Sequence, residues 1–248
     1  MPKTDKERLQ DNNTSILRIK EKANNLPDAK INVADGRVDG HTLILKSYKP
    51  YTELSYIYNN GNAYINTNII PSSNTKLEFG VVEPTQLEYW CGSLTYTESH
   101  KPSSGNWWNR EVFAVCNDGT GGMYVAYNNS NEGVGSSTVI STTSKLVFYK
   151  GALLVNDVMK FQVEPYDEEF SLSYPLYIFG QNRRGANFNG NKSCKIEYFK
   201  IYNNDTLLLD LIPVMRKSDY VICMYDTVTE TYITNAGTGS FIAGPIKN

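Results

Sequence analysis

KIEYFKIYNNDTLLLDL, residues 195–211, places two runs of strand length on either side of the polar triplet Asn203-Asn204-Asp205. Within each run apolar and polar side chains alternate, so every second residue shares a face, and the aromatic and branched side chains suit a pleated, half-buried surface. Asn and Asp tolerate the backbone of a tight turn, which makes the stretch a strand-turn-strand hairpin with Tyr198 and Tyr202 loading one sheet face. The same period governs nearly everything from Tyr51 onward. Strands are predicted over 54–58, 62–68, 76–83, 87–95, 112–116, 123–127, 138–140, 145–149, 152–155, 176–179, 195–202, 206–211, 221–225 and 232–234. Gly, Asn, Ser and Pro clusters punctuate them, for example Asn59-Asn60-Gly61 and Asn117-Asp118-Gly119. Many short strands between turn signals predict a mainly β chain, a sandwich or jelly roll.

Composition agrees with that class. The 248 residues suffice for one large sandwich, and 18 Tyr with 9 Phe and 3 Trp favour strands over helices. With 24 basic and 26 acidic residues the net charge is −2. No single-sign field exists to hold nucleic acid or an anionic membrane. The charged opening MPKTDKERLQDNN lacks the apolar stretch of a signal peptide, and no apolar run reaches bilayer length, so a soluble chain made in a cytosol is expected. Cys91, Cys116, Cys194 and Cys223 lie far apart without a CxxC pair or a histidine at ligand spacing, which predicts free, buried thiols and no zinc site.

Residues 1–29 follow a different rhythm. Leu9, Ile16 and Ala23 recur every seven residues beside Asn12, Ile19 and Leu26, an a/d seam between the Thr4/Glu7 capping box and Pro27. The pattern predicts a short N-terminal helix that oligomerises or docks, or else lies on its own sandwich. Residues 30–50 read as a linker with a short strand around Leu43–Leu45, and residues 51–248 as the β body.

The closing segment carries a resemblance. Lys200-Ile201-Tyr202, the turn at 203–205, Leu211-Ile212-Pro213-Val214, Cys223-Met224-Tyr225-Asp226 and Asn235-Ala236-Gly237-Thr238-Gly239-Ser240-Phe241 follow one another in order and spacing. Together with SYIYNNGNAYINTNIIPSSNTKLEF and SKLVFYKGALLVND, they resemble the laminin-G-like, concanavalin A-type jelly roll found in phage tail, fibre and other virion proteins. The resemblance spans roughly Tyr51 to Gly244. It implies a concanavalin A/laminin-G-like β-sandwich, a place on the virion, a homo-oligomer that closes as a trimer, and attachment to other virion proteins through the N-terminal segment. For Gly237 and Gly239 the reading is structural: backbone torsions closed to other residues.

Catalysis is not expected. Sandwich glycosidases set two carboxylates on one strand as E-x-D-x-x-E, and that pattern is absent. The acidic run Glu164–Glu169 is broken by Pro165 and reads as a solvated loop. His41 and His100 lie in turn-rich stretches without a nucleophile motif. Binding remains. A saccharide presents an apolar face edged by hydroxyls, so a site wants a flat aromatic beside amide, carboxylate or guanidinium groups. Tyr89, the loop residues Trp107, Trp108 and Arg110, and Asn182, Arg183, Arg184 and Asn187 supply that chemistry. Trp90 and one of Trp107 and Trp108 read more readily as core. Calcium, held by some laminin-G-like domains, finds only Asn117-Asp118-Gly119, a poor ligand set, and no cofactor is predicted. Two functions stand open: a virion adhesin binding host-surface glycan, and an architectural virion protein that only packs.

Overall fold

A computed structural model describes residues 49–83, 88–95, 111–117, 123–128, 130–133, 140, 142–165, 168–188 and 194–247. The chain divides after Pro50, and every described strand lies in the unit Tyr51–Asn248. In chain order the strands are β1 (Tyr51–Glu53), β2 (Ile57–Asn60), β3 (Ile65–Asn66), β4 (Thr75–Val81), β5 (Glu88–Thr95), β6 (Glu111–Asn117) and β7 (Met123–Tyr127). Next come β8 (Ser130–Gly133), β9 (Ser144–Tyr149), β10 (Ala152–Val155), β11 (Val158–Gln162), β12 (Tyr177–Ile178) and β13 (Gln181–Arg183). The last are β14 (Ala186–Phe188), β15 (Lys195–Asn203), β16 (Thr206–Arg216), β17 (Ile222–Asp226), β18 (Thr231–Ile233) and β19 (Ser240–Ala243).

They form two sheets. The larger runs β11-β10-β9-β4-β15-β16-β17-β18, with β1 on β16, β2 on β15 and β19 on β2. The smaller runs β14-β13-β5-β6-β7-β8, with β12 joining β5 to β3. Among the described pairs only β13 with β5 is parallel. Alternation fills the space between the sheets: Leu77 and Phe79 of β4, Leu146 and Phe148 of β9, and Phe199 and Ile201 of β15 point inward to meet Trp90, Phe113, Val115 and Val125 of the smaller sheet. Rings bridge the layers directly, Phe79 to Trp90 at 6.1 Å and Phe113 to Phe148 at 5.2 Å between centroids. The chain is therefore mainly β with two sheets facing one core, a β-sandwich-like arrangement.

The hairpin at 195–211 forms, with Phe199 opposite Leu211 and Asn203 opposite Thr206, and its register shifts once, between Ile201 and Tyr202. β16 continues beyond its predicted end at Leu211 to Arg216, straight through Pro213. Proline is tolerated because of where its missing N–H falls. Pairing with β15 ends at Leu211 and pairing with β1 begins at Val214, on the edge to which the Pro213 carbonyl points, accepting from the Leu54 N–H at 2.9 Å. The vacant donor thus lies at a junction between neighbours, while the opposite edge keeps its register with β17.

Other expectations need correction. Residues 181–188 are a hairpin, β13 and β14, rather than a loop: Arg184 and Gly185 take left-handed φ of 57° and 89° between the paired Arg183 and Ala186. That two-residue turn suits the strand twist, but Arg-Arg-Gly lacks the usual Asn-Gly signal. β1, β8, β11 and β19 are also strands beyond those predicted. Ile140 is buried but lies outside any strand, and 138–139 fall outside the described residues. Gly237 and Gly239 adopt no left-handed φ. Their need is space, since a Cβ on either would run into the carbonyl oxygen of Asn62 or Asn60. The N-terminal helix, its seam Leu9, Asn12, Ile16, Ile19, Ala23 and Leu26, and the strand near Leu43–Leu45 lie outside the described residues.

Candidate functional site

The outer face of the larger sheet carries a groove of about 560 Å³ over β4, β15 and β16. An irregularity in β15 shapes it. Ile196 pairs with Val81 and Tyr198 with Gly80, so Glu197 is an extra residue, a β-bulge. Without the bulge, Glu197 and Tyr198 would point to opposite faces. With it, Ile196 and Phe199 stay inside while both intervening side chains stand outside. Opposite the bulge is Gly80. A Cβ there would sit 2.8 Å from both Glu197 Oε2 and Tyr198 Cε1, so the absent side chain lets a carboxylate and an aromatic ring lie side by side on the sheet.

One register step along, Lys200 stands opposite Glu78 on β4 and Asp210 on β16. It bonds Asp210 at 3.3 Å, and the pair is partly shielded, with side-chain exposures of 29% and 18%. Ile212 adds an apolar wall, and Ser55 and Lys247 close one end. Burial raises the Glu197 carboxyl above the usual carboxylate range, against the pull of Lys247. The Tyr198 hydroxyl is pushed up to about 12 by burial, with Glu78 and Glu197 adding to the effect. The groove therefore offers carboxyl groups, an aromatic face and a phenol that is neutral at neutral pH.

A second cavity of about 380 Å³ lies near the turn before β4, where Lys150, Glu168 and Glu169 surround Tyr127. The Tyr127 hydroxyl donates to the Ser73 carbonyl at 3.0 Å, and burial pushes it up to about 12. That ring belongs to the core, 5.8 Å from Phe148. Among the described residues no group of three His, Cys, Asp or Glu side chains is placed to hold a metal. Asn117 ends β6 with its side chain buried, and Asp118 and Gly119 are outside the described residues.

The residues singled out from sequence are dispersed. Trp107, Trp108 and Arg110 lie outside the described residues, and Tyr89 falls in β5 with its side chain outside the described set. Asn182 is fully buried. Its Nδ2 donates to the Pro175 carbonyl at 2.9 Å and its Oδ1 accepts the Gly185 N–H at 2.7 Å, bracing the hairpin from within. Arg183 Nε donates to Gln181 Oε1 at 2.8 Å, while Arg184 is exposed at the hairpin tip. Asn187 Nδ2 donates to Asn62 Oδ1 at 2.8 Å, and its own Oδ1 is buried over Gly180 with no partner among the described residues. Sequence reasoning missed Glu78, Glu197, Tyr198, Lys200 and Asp210 as a group. A signal existed: the inward residues Ile196 and Phe199 stand three apart where strict alternation demands two.

The closing motif has structural work. Asp226, 1% exposed, accepts the backbone N–H groups of Asp210, Val228 and Thr229 and the Thr229 hydroxyl, which fixes the turn into β18. Asn235 Oδ1 accepts from the Tyr64 and Gly237 N–H groups, and its Nδ2 donates to the Gly237 and Gly239 carbonyls. No protein-family model matches this sequence, and no curated protein matches it.

Proposed function

We propose that this chain is a phage virion protein, a tail, fibre or head-attached adhesin, whose concanavalin A/laminin-G-type sandwich binds host-surface carbohydrate without turning it over. The groove beside Gly80 is the binding site. One observation carries the reading: the bulge sets Glu197 and Tyr198 on one outward face, next to Glu78, Lys200 and Asp210. A flat ring meets the apolar face of a pyranose, and fixed carboxylates accept its hydroxyls. The rigid sheet holds both at little entropic cost. The virion assignment is supported by the resemblance between Tyr51 and Gly244. The absence of an E-x-D-x-x-E strand supports binding over hydrolysis.

A glycan array probed with the full chain tests the groove. Binding that Tyr198→Ala weakens by about tenfold or more, in a variant with unchanged thermal unfolding, supports the assignment. Binding indifferent to Tyr198 and Glu197 moves the site elsewhere, and release of new reducing ends from a bound glycan would make the chain an enzyme. In this reading the seam of Leu9, Asn12, Ile16, Ile19, Ala23 and Leu26 gathers copies into a trimer and joins them to other virion proteins, so that weak sites act together. Replacing Ile16 and Ile19 together by Asp in the full chain is then expected to reduce the particle mass seen by light scattering to that of a monomer. An unchanged mass removes the seam from assembly.

The architectural reading has one observation in its favour. β11 is an edge strand of the larger sheet and exposes Val158 and Met159 at 56% and 63%. Apolar side chains on an open edge suit packing against a neighbour. A chain that binds no glycan yet incorporates into particles through that edge would favour it.

A further inference from the structure

We propose that the groove selects a saccharide bearing a free amino group, its ammonium lodged between the Glu78 and Glu197 carboxylates and its ring against Tyr198. This rests on reading the groove as a saccharide site. Among the described residues no donor reaches either carboxylate, and the Tyr198 hydroxyl has no hydrogen-bond partner. The nearby lysines form their ion pairs elsewhere, although Lys145 also acts on Glu78 through its field. Lys200 bonds Asp210 at 3.3 Å, and Lys145 bonds Asp157 at 3.0 Å. Lys247, at the groove's end, acts on Glu197 through its field and forms no ion pair with it among the described residues.

Carboxylates are acceptors only, so they call for donors. An aromatic face beside them favours a cation. The carboxylates do not stand alone: the bulge and Gly80 lay the Tyr198 ring next to Glu197 in a cavity of about 560 Å³, within the range of small-ligand sites. A protonated amino sugar offers three N–H donors and a charge, whereas its N-acetyl form offers one donor and no charge. Uronic acids and phosphorylated sugars meet like charge at Glu78 and Glu197.

The test is calorimetric titration of the full chain with a glucosamine tetramer and an N-acetylglucosamine tetramer at about pH 6, where the amines and most surface carboxylates are both charged. The free-amine tetramer is expected to bind about tenfold tighter or more. Glu78→Gln and Glu197→Gln, each checked for unchanged folding by circular dichroism, are expected to bring that ratio close to one, while Tyr198→Ala weakens both ligands. Equal binding of the two tetramers overturns the inference, as does a preference that survives in both Gln variants. If another saccharide binds through Tyr198 without any preference for amines, the inference fails and the saccharide site stands. If no saccharide binds at all, both fail.

Discussion

Asn235 spends its amide on four backbone partners from two segments, as many hydrogen bonds as Asp226 gathers in the same closing motif. Asn235→Ala leaves the Tyr64 N–H and the Gly237 and Gly239 carbonyls without their partner in a region where Gly237 and Gly239 already press against the β2–β3 connection. A loss of about 2–4 kcal/mol is expected from several part-buried groups left unsatisfied, read as a lower denaturant midpoint at constant slope. Glu197 behaves in the opposite sense. Burial raises its carboxyl pKa in the folded chain, so its contribution favours folding below the ordinary carboxylate range and is lost as pH rises through the raised value. Glu197→Gln is therefore expected to melt above the parent at neutral pH and together with it at about pH 3 to 4. Melting curves that differ equally at both pH values would show that burial of this carboxyl carries no cost. A residue that costs stability where it stands suits a site better than a scaffold.

At the scale of the element, the bulge in β15 and the glycine in β4 act as a pair. A Cβ at position 80 meets the Glu197 carboxylate and Cβ and the Tyr198 ring rather than backbone, so Gly80→Ala is expected to keep the strand pairing and push the Glu197 carboxylate and the Tyr198 ring out of place. Thermal unfolding near that of the parent, with glycan affinity reduced about tenfold, is the expected outcome; full affinity would show that the two side chains need not lie over position 80. Strands with clean alternation, such as β7 and β10, were legible to the residue, because apolar side chains every second position fix both period and face. β13 and β14 were not. Gln-Asn-Arg-Arg-Gly-Ala-Asn is polar throughout, and it is held as strand by pairing with β5 and by Asn182 bonding from within.

For the molecule as a whole, the four cysteines report on the integrity of the sandwich. All are buried and none forms a disulfide, Cys91 and Cys194 lying in the main core and Cys223 among Tyr51, Val214 and neighbouring tyrosines on the outer face of β16 and β17. Burial pushes the Cys91 thiol up and raises Cys223 to about 11, so neither supplies thiolate at neutral pH. A thiol-reactive chromophore is expected to label none of the four in the native chain and all four in denaturant, with labelling tracking global unfolding. Rapid labelling of one cysteine under native conditions would mark a part of the sandwich that opens on its own.

The sequence by itself determined the class and most of the strands. Period-two burial is a local property: a side chain such as Phe79 or Ile201 needs only its neighbours at two residues' distance to declare a face. It also predicted a turn at 203–205, which the structure places at Asn204 and Asp205 between the paired Asn203 and Thr206. Only the tertiary structure decided what the outward face does. Glu78 is far in sequence from Lys200 and Asp210 and meets them because β4 pairs with β15 in register with the β15–β16 hairpin. The bulge that turns Glu197 outward is defined by the partner strand, whose Val81 and Gly80 are consecutive where β15 has three residues. A groove is made by several strands at once, and the alternation within any one of them carries no record of the others.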